Sequence, residues 1–489
     1  MSIARALAWL AERDPERPAI THEGRTLTRL ELERRSNRLA RAYARLGVGQ
    51  DDFVTIALGN GIPFYEAALA AWKLGATPQP VSAKLPRLER EAVVALADPR
   101  LVVGVEPGSL GDRLAIPAGF EPDAALSDQP LPDRVATYWK ALTSGGSTGR
   151  PKLIVSEEPG AFDPEEPLFN MIVDGTQLVT GPLYHNAPFI ASMRGLLCGN
   201  HLVVLTRFDA LRTLELIEAH RVDWVLLVPT MMHRIWRLGG ALRERHDLSS
   251  LKLVLHLAAP CPPWLKEAWI EWLGGARLHE LYGGTEAQGI TWISGEEWLE
   301  HKGSVGRPMD GFRFKIFDAG GTEAAPGEVG EIFMLPDSGP GSTYHYVGAE
   351  ARRREGWESI GDLGWLDDDG YLYLADRRTD LIVSGGANVY PAEVEGAIEA
   401  HAEVRSSAVI GLPDDDLGQR VHAIVERLGE LGEDALRRHL AERLAPYKIP
   451  RSFEFVTEPL RDDAGKVRRS ALREARLGRA VESPEGIGS

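Results

Sequence analysis

The sequence predicts an α/β protein, with a large N-terminal domain of βα-layered sheets, a small β-rich subdomain, and a final α+β domain. Three observations predict it. Short apolar runs alternate with stretches of helical periodicity as far as Gly303, and glycine- and aspartate-punctuated short strands replace them beyond it. Asp376 to Gly386, DRRTDLIVSGG, then leads into a final stretch of roughly 110 residues with helix and strand signals of its own.

In chain order, helical spacing at 27–46 is followed by the β-like run FVTIAL at 53–58 and a second helical stretch at 64–74. Strand-like runs recur at 101–105, 202–205, 224–229 and 251–257, with a helix expected at 211–220. Short apolar runs separated by helices indicate parallel sheets covered on both faces. FRFKIFD, GEIFML and GYLYLAD read instead as antiparallel strands. The expected division is 1–376, a hinge at 377–380, and 381–489.

A chain of 489 residues exceeds what one hydrophobic core usually serves. Its 71 acidic residues against 55 basic ones, a formal charge of −16, argue against a nucleic-acid or anionic-membrane binder. Cys198 and Cys261 have no CxxC spacing, so neither a disulfide framework nor a cysteine zinc site is expected. No apolar run approaches the ~18 residues of a membrane span. The expected location is cytoplasmic, and a homodimer is an allowed assembly.

Four segments carry chemistry. LTSGGSTGRPKLIV, 142–155, follows an expected strand, and its small residues let backbone N–H groups curl round anionic oxygens while Lys152 adds a point charge. It is not a P-loop, because Arg150 and Pro151 separate Gly149 from Lys152. The stretch 145–149 does match the GxSxG elbow of α/β-hydrolases, but Pro151 would interrupt the helix that an elbow needs directly after its serine. HELYGGTEAQG, 279–289, sets Tyr282, Thr285 and Glu286 round a Gly-Gly turn, offering a stacking face, a hydroxyl and a carboxylate for Mg²⁺. Zinc-protease HExxH chemistry is excluded there, since Gly283 occupies the second histidine position. In 356–377 Asp362 sits between glycines at a strand end, where a carboxylate can accept from ribose hydroxyls. PLRDDAGKVRRSAL, 459–472, presents Lys466 in a turn.

Taken together and in this order, the four segments resemble the adenylate-forming superfamily of acyl-CoA synthetases, amino-acid adenylation domains and beetle luciferases, over nearly the whole chain. The resemblance implies that ATP phosphates are held by Ser144, Gly146, Ser147, Thr148, Gly149 and Lys152, with Thr285 at the α-phosphate and Glu286 on Mg²⁺. It implies that Ala258, Ala259 and Pro260 line the adenine pocket, that Tyr282 stacks on the base, and that Asp362 and Arg377 meet the ribose. Lys466 would be the adenylation lysine on a mobile C-terminal domain, Gly386 would lie along the pantetheine entry of coenzyme A, and Thr379 would occupy the hinge. Thr379 departs from the usual Asp or Lys, Gly145 from Ser or Thr, and Ala387 from Glu.

By the same comparison, the acid would be walled by Tyr184, His185, Asn186, Phe189, Trp224, Met231, Met232, Gly283 and Gly284, with His185 also among the catalytic candidates. PLYHNAP lacks the aspartate that meets a substrate ammonium in amino-acid adenylation domains, so the expected substrate is a small-molecule carboxylic acid without an α-amino group. The wording of the motifs is most similar to bile-acid and steroid CoA ligases, which implies a bulky hydrophobic or polycyclic acid. The expected enzyme is an AMP-forming acid–thiol ligase using ATP, Mg²⁺ and coenzyme A. The alternatives are transfer of the adenylate to a separate partner, an α/β-hydrolase, and a non-catalytic nucleotide- or acyl-binding protein.

Overall fold

Six parallel strands form the spine of the large sheet, in the order Pro18–His22, His201–Val204, Thr176–Val179, Trp224–Leu227, Leu253–His256 and Leu278–Gly283. The structure is a computed structural model and describes residues 1–145, 151–377, 380–385, 387–414, 416–463 and 465–481. The central strands are apolar on both faces, and Trp224–Leu227 and Leu253–His256 are buried throughout, as a parallel sheet between helical layers requires. A second parallel sheet orders Thr77–Pro80, Phe53–Ile56, Leu101–Val103 and Ala115–Ile116.

The change of rhythm after Gly303 is a change of pairing. Phe312–Phe317 pairs antiparallel with Gly330–Pro336, and Asp362–Leu366 with Leu372–Arg377. This β-rich part is continuous with the large sheet through Ser304–Pro308, which pairs antiparallel with Ile290–Ser294. The α/β class and its β-rich closing part are therefore as expected.

The region after Asp380 has its own core, in which Val394, Ile398, Val409, Val425, Leu436 and Leu440 pack together. Val404–Asp414 and Gly418–Arg427 form a long antiparallel pair, joined in parallel by Ser452–Val456. Arg469, at the start of the helix Arg469–Val481, donates to both oxygens of Glu395 and, at 2.9 Å, to Asp380, binding the entrance of this region to its interior. Among the described residues no helix is long and apolar enough to cross a membrane.

Candidate functional site

The glycine-rich segment closes a β-hairpin. Ala141–Gly145 and Pro151–Ser156 pair antiparallel, with Gly145 opposite Pro151 and Ser144 opposite Lys152. A strand, not a helix, follows the segment, which removes the α/β-hydrolase elbow. Gly146, Ser147, Thr148 and Gly149 lie outside the described residues.

A third strand, Tyr344–Val347, pairs with Pro151–Ser156 and brings in a residue that sequence reasoning missed. Tyr346 lies under Lys152, whose Nζ is 3.7 Å from the ring centroid, and donates its hydroxyl to Glu286 Oε1 at 2.6 Å. Lys152 Nζ is itself 3.6 Å from the same oxygen. Glu286 is buried, and Thr343 Oγ1 donates to its backbone carbonyl at 2.8 Å. A Cβ on Gly284 would stand 2.9 Å from Glu286 Oε2, so the Gly-Gly turn makes room for this carboxylate. Lys140, also missed, is buried at the base of the hairpin, and burial draws its ammonium down to about 8 against the opposing charges of Glu158 and Glu286. Only an alternation of aromatics in TYHYVG could have pointed to Tyr346, and nothing local points to Lys140.

Among the described residues no group of three or more metal-ligating side chains exists. One buried carboxylate beside a lysine nonetheless fits Mg²⁺, which is commonly held by one or two carboxylates together with substrate phosphates.

At the other end Tyr282 donates its hydroxyl to Asp362 Oδ2 at 2.8 Å, and Asp362 is paired in register with Arg377. Ala258, exposed with φ +74, begins the turn that continues through Ala259 and Pro260 after the strand Leu253–His256. Beneath it, Lys266 Nζ meets Glu280 Oε2 at 2.5 Å, both side chains enclosed, and His256 stands opposite Glu280 in the paired strands. Burial raises the Glu280 carboxyl and holds the His256 imidazole well below its ordinary value.

Tyr184, His185 and Asn186 lead into the helix Asn186–Leu197 and are half-buried. Burial, and then the nearby Lys466 ammonium, push the His185 imidazole down to about 3. Asp462, Asp463 and Arg468 act in turn on Tyr184. The C-terminal turn thus stands against the expected acid wall. Its shape is set by Asp462, whose Oδ1 accepts from the Lys466 N–H at 2.9 Å, and by Arg461, which donates to the Gly465 carbonyl at 3.2 Å.

Part of the expected wall is core in this structure. Phe189 has no exposed surface and packs against Phe64, Trp72 and Trp139, while Met232 is fully enclosed and Trp224 and Met231 nearly so. Large side chains on central strands and on the inner faces of helices fill the layer between them, whichever end of the sheet binds ligand. Beside Trp224 lies a stacked pair that sequence reasoning also missed, Phe169 and Trp292, with centroids 6.4 Å apart. Gly283 ends the strand Leu278–Gly283, and Gly284 and Thr285 follow it directly. Thr379 and Gly386 lie outside the described residues. A cavity of about 430 Å³ is lined by Ser384, Gly385, Ala387, Arg437, Tyr447 and Arg451, among others.

This fold, with a lysine-bearing turn set against Tyr184 and His185 and a Tyr-Gly-Gly-Thr-Glu strand end, defines the class of adenylate-forming enzymes. The chain belongs to the AMP-binding enzyme family, whose main domain matches residues 7–344 and whose C-terminal domain matches residues 393–466. It is 33% identical to a feruloyl-CoA synthase of Amycolatopsis over 494 residues, covering 95% of this chain and 96% of the relative. The o-succinylbenzoate coenzyme A synthetase of Bacillus subtilis in complex with ATP and magnesium is 27% identical and superposes with a TM-score of 0.82, over 96% of this chain and 98% of that one. A double mutant of the same synthetase bound with a product analogue, at equal identity and coverage, gives 0.68. The protein is an AMP-forming acid–thiol ligase, an ATP-dependent acyl-CoA ligase whose cofactors are ATP, Mg²⁺ and coenzyme A. The narrower expectation of a bile-acid or steroid ligase is not what these relatives are named for.

Proposed function

We propose that this ligase activates a bulky hydrophobic carboxylic acid built on rings, held between the Tyr184–His185–Asn186 wall and the Gly283–Gly284 turn. The observation that carries the reading is the place of the Lys466 turn, against His185 and Tyr184 on the acid side of the cleft that Lys152 and Glu286 also serve. Two anions have to meet in the first step, so positioning and positive charge supply most of the catalysis. The acid's carboxylate attacks the α-phosphorus of ATP in line and pyrophosphate leaves. Lys466 bridges the two anions, Thr285 donates to the α-phosphate, and Lys152 with the 146–149 amides and hydroxyls receives the departing charge. Mg²⁺ on Glu286 would neutralise phosphate oxygens. Tyr282 and the 258–260 turn hold the base, and Asp362 with Arg377 the ribose. His185 stays neutral at physiological pH and orients the carboxylate.

In the second step the thiol of coenzyme A attacks the mixed anhydride and AMP leaves. The reading divides the chain at a hinge, 377–380, about which the C-terminal domain turns to withdraw Lys466 and bring up Gly386. The cavity lined by Gly385 and Ala387, with Arg437 and Arg451 also on its lining, suits the phosphates of coenzyme A. A cytoplasmic location goes with this reading, as ATP and coenzyme A are supplied there.

For the acid, the stacked Phe169–Trp292 pair and the relatives' feruloyl and o-succinylbenzoyl names favour an aryl acid. A polycyclic acid is the second reading, favoured by the side-chain-free Gly283–Gly284 turn. Pyrophosphate release over short, long, aromatic and polycyclic acids tests both. Specificity constants should favour ring-bearing acids, and a preference of ~10-fold for acetate, worth ~1.4 kcal/mol, would overturn the proposal.

A further inference from the structure

The helix Pro229–Trp236 meets the C-terminal region at both of its ends. At the first turn, a Cβ on Gly465 would stand 2.5 Å from Thr230 Oγ1, so the turn that carries Lys466 is seated on this helix with no room between them. Immediately after the last turn, Arg237 Nη1 donates to the Ala402 carbonyl at 2.8 Å, and Nη2 donates to the carbonyls of His401, at 3.3 Å, and Val404. These carbonyls belong to the turn that joins the helix Pro391–Glu399 to the strand Val404–Asp414, where the His401 carbonyl also accepts from the Val404 N–H at 3.1 Å. His233 Nε2 accepts from Arg237 Nε–H at 2.9 Å and fixes the plane of the fork. Thr230, His233 and Arg237, three and seven residues apart, share one face of the helix.

We infer that Arg237 is a positioning residue for adenylation, a latch that holds the C-terminal domain with Lys466 in the cleft. The inference rests on the proposed role of Lys466. Lys84 pairs with Asp463 at 3.0 Å and Arg468 with Glu89 at 3.7 Å across the same regions, but their basic side chains are 81% and 68% exposed. Exposed pairs are screened and weakly directional. The Arg237 fork is half-buried and aimed at three carbonyls whose directions belong to one domain orientation, so a rotation that withdraws Lys466 takes them away. Removing the latch therefore penalises the closed orientation alone.

The test separates the half-reactions in the full-length enzyme. Arg237→Ala should lower single-turnover pyrophosphate release ~10-fold, equivalent to ~1.4 kcal/mol in domain orientation. Thioester formation from supplied acyl-adenylate and coenzyme A should be unchanged or faster. Arg237→Lys should recover part of the adenylation rate, and Arg237→Met, which keeps the apolar stem, should show the same selective loss and decides the test if Arg237→Ala folds poorly. Equal loss in both half-reactions, or no loss in either, overturns the latch. Lys466→Ala measured alongside tells the two failures apart. If Lys466→Ala is selective for adenylation while Arg237→Ala is silent, only the latch fails. If Lys466→Ala adenylates at the wild-type rate, the reading on which the latch rests has failed.

Discussion

The Tyr346 hydroxyl donates to Glu286 Oε1 at 2.6 Å while the ring of the same residue lies 3.7 Å from Lys152 Nζ, so one tyrosine joins the carboxylate and the lysine expected at the phosphates. Hydrogen bonds to charged groups contribute about 1.5–3 kcal/mol. Tyr346→Phe keeps the ring beneath Lys152 and removes the bond to Glu286. It should lower adenylation ~10-fold and raise the Mg²⁺ concentration needed for half-maximal rate, read as pyrophosphate release across a Mg²⁺ series. An unchanged Mg²⁺ dependence would detach Tyr346 from the metal's carboxylate.

Lys466 should matter to one half-reaction only. Lys466→Ala should lose ~10²-fold or more in adenylate formation, the size typical of removing one group that meets transition-state charge. It should still convert supplied acyl-adenylate and coenzyme A to thioester, measured as product by chromatography. Equal loss in both would remove the assignment.

His185 supplies a pH prediction. Its folded-state value, about 3, lies below the ordinary imidazole value of 6.5, first through burial and then through Lys466. The unfolded chain therefore binds the proton first, so the stability linked to His185 is complete above pH 6.5 and falls away between 6.5 and 3 as pH drops. His185→Gln should show a shallower loss of stability than wild type across that window in denaturant titrations at stepped pH. A ring resonance titrating near 6.5 in the folded enzyme would contradict the placement.

Thr379 carries a prediction from sequence alone, as it lies outside the described residues; its neighbour Asp380 accepts from Arg469 at 2.9 Å. At the expected hinge, a β-branched neutral residue would favour extended backbone and bias the two proposed domain orientations. Adenylation should be efficient and thioester formation slow, so rapid quenching should find acyl-adenylate on the enzyme during turnover, and Thr379→Asp should speed the second step. Absence of accumulated adenylate, together with an unchanged thioester rate in Thr379→Asp, would make the substitution neutral.

What is legible in the sequence follows locality. Trp224–Leu227 and Leu253–His256 can be read from their apolar runs because a strand buried on both faces needs no partner to declare itself. Lys152, Glu286, Tyr282, Asp362 and Lys466 can be singled out because each sits in or beside a glycine-bearing segment whose residue types suit an anion, a base or a ribose. Tyr346 is hidden because its strand meets Pro151–Ser156 from nearly two hundred residues away, and a half-buried tyrosine looks the same in any strand. Arg237 is hidden for another reason. Its acceptors are backbone carbonyls at the end of a distant helix, and no residue type encodes those. The placement of Phe189 and Met232 in the core shows the converse limit, since an apolar side chain near a motif reads equally as wall and as filling.

Ala258, at the start of the turn expected to hold the base, and Ala287, next after Glu286, have φ of +74 and +54, a region where an L-residue other than glycine costs about 1–2 kcal/mol. Glycine would adopt either conformation without that cost, but would also leave the turn free to visit many others. The alanines shift the expense in time: it falls once, when the chain folds, and the cleft then meets each new nucleotide with less backbone freedom left to surrender.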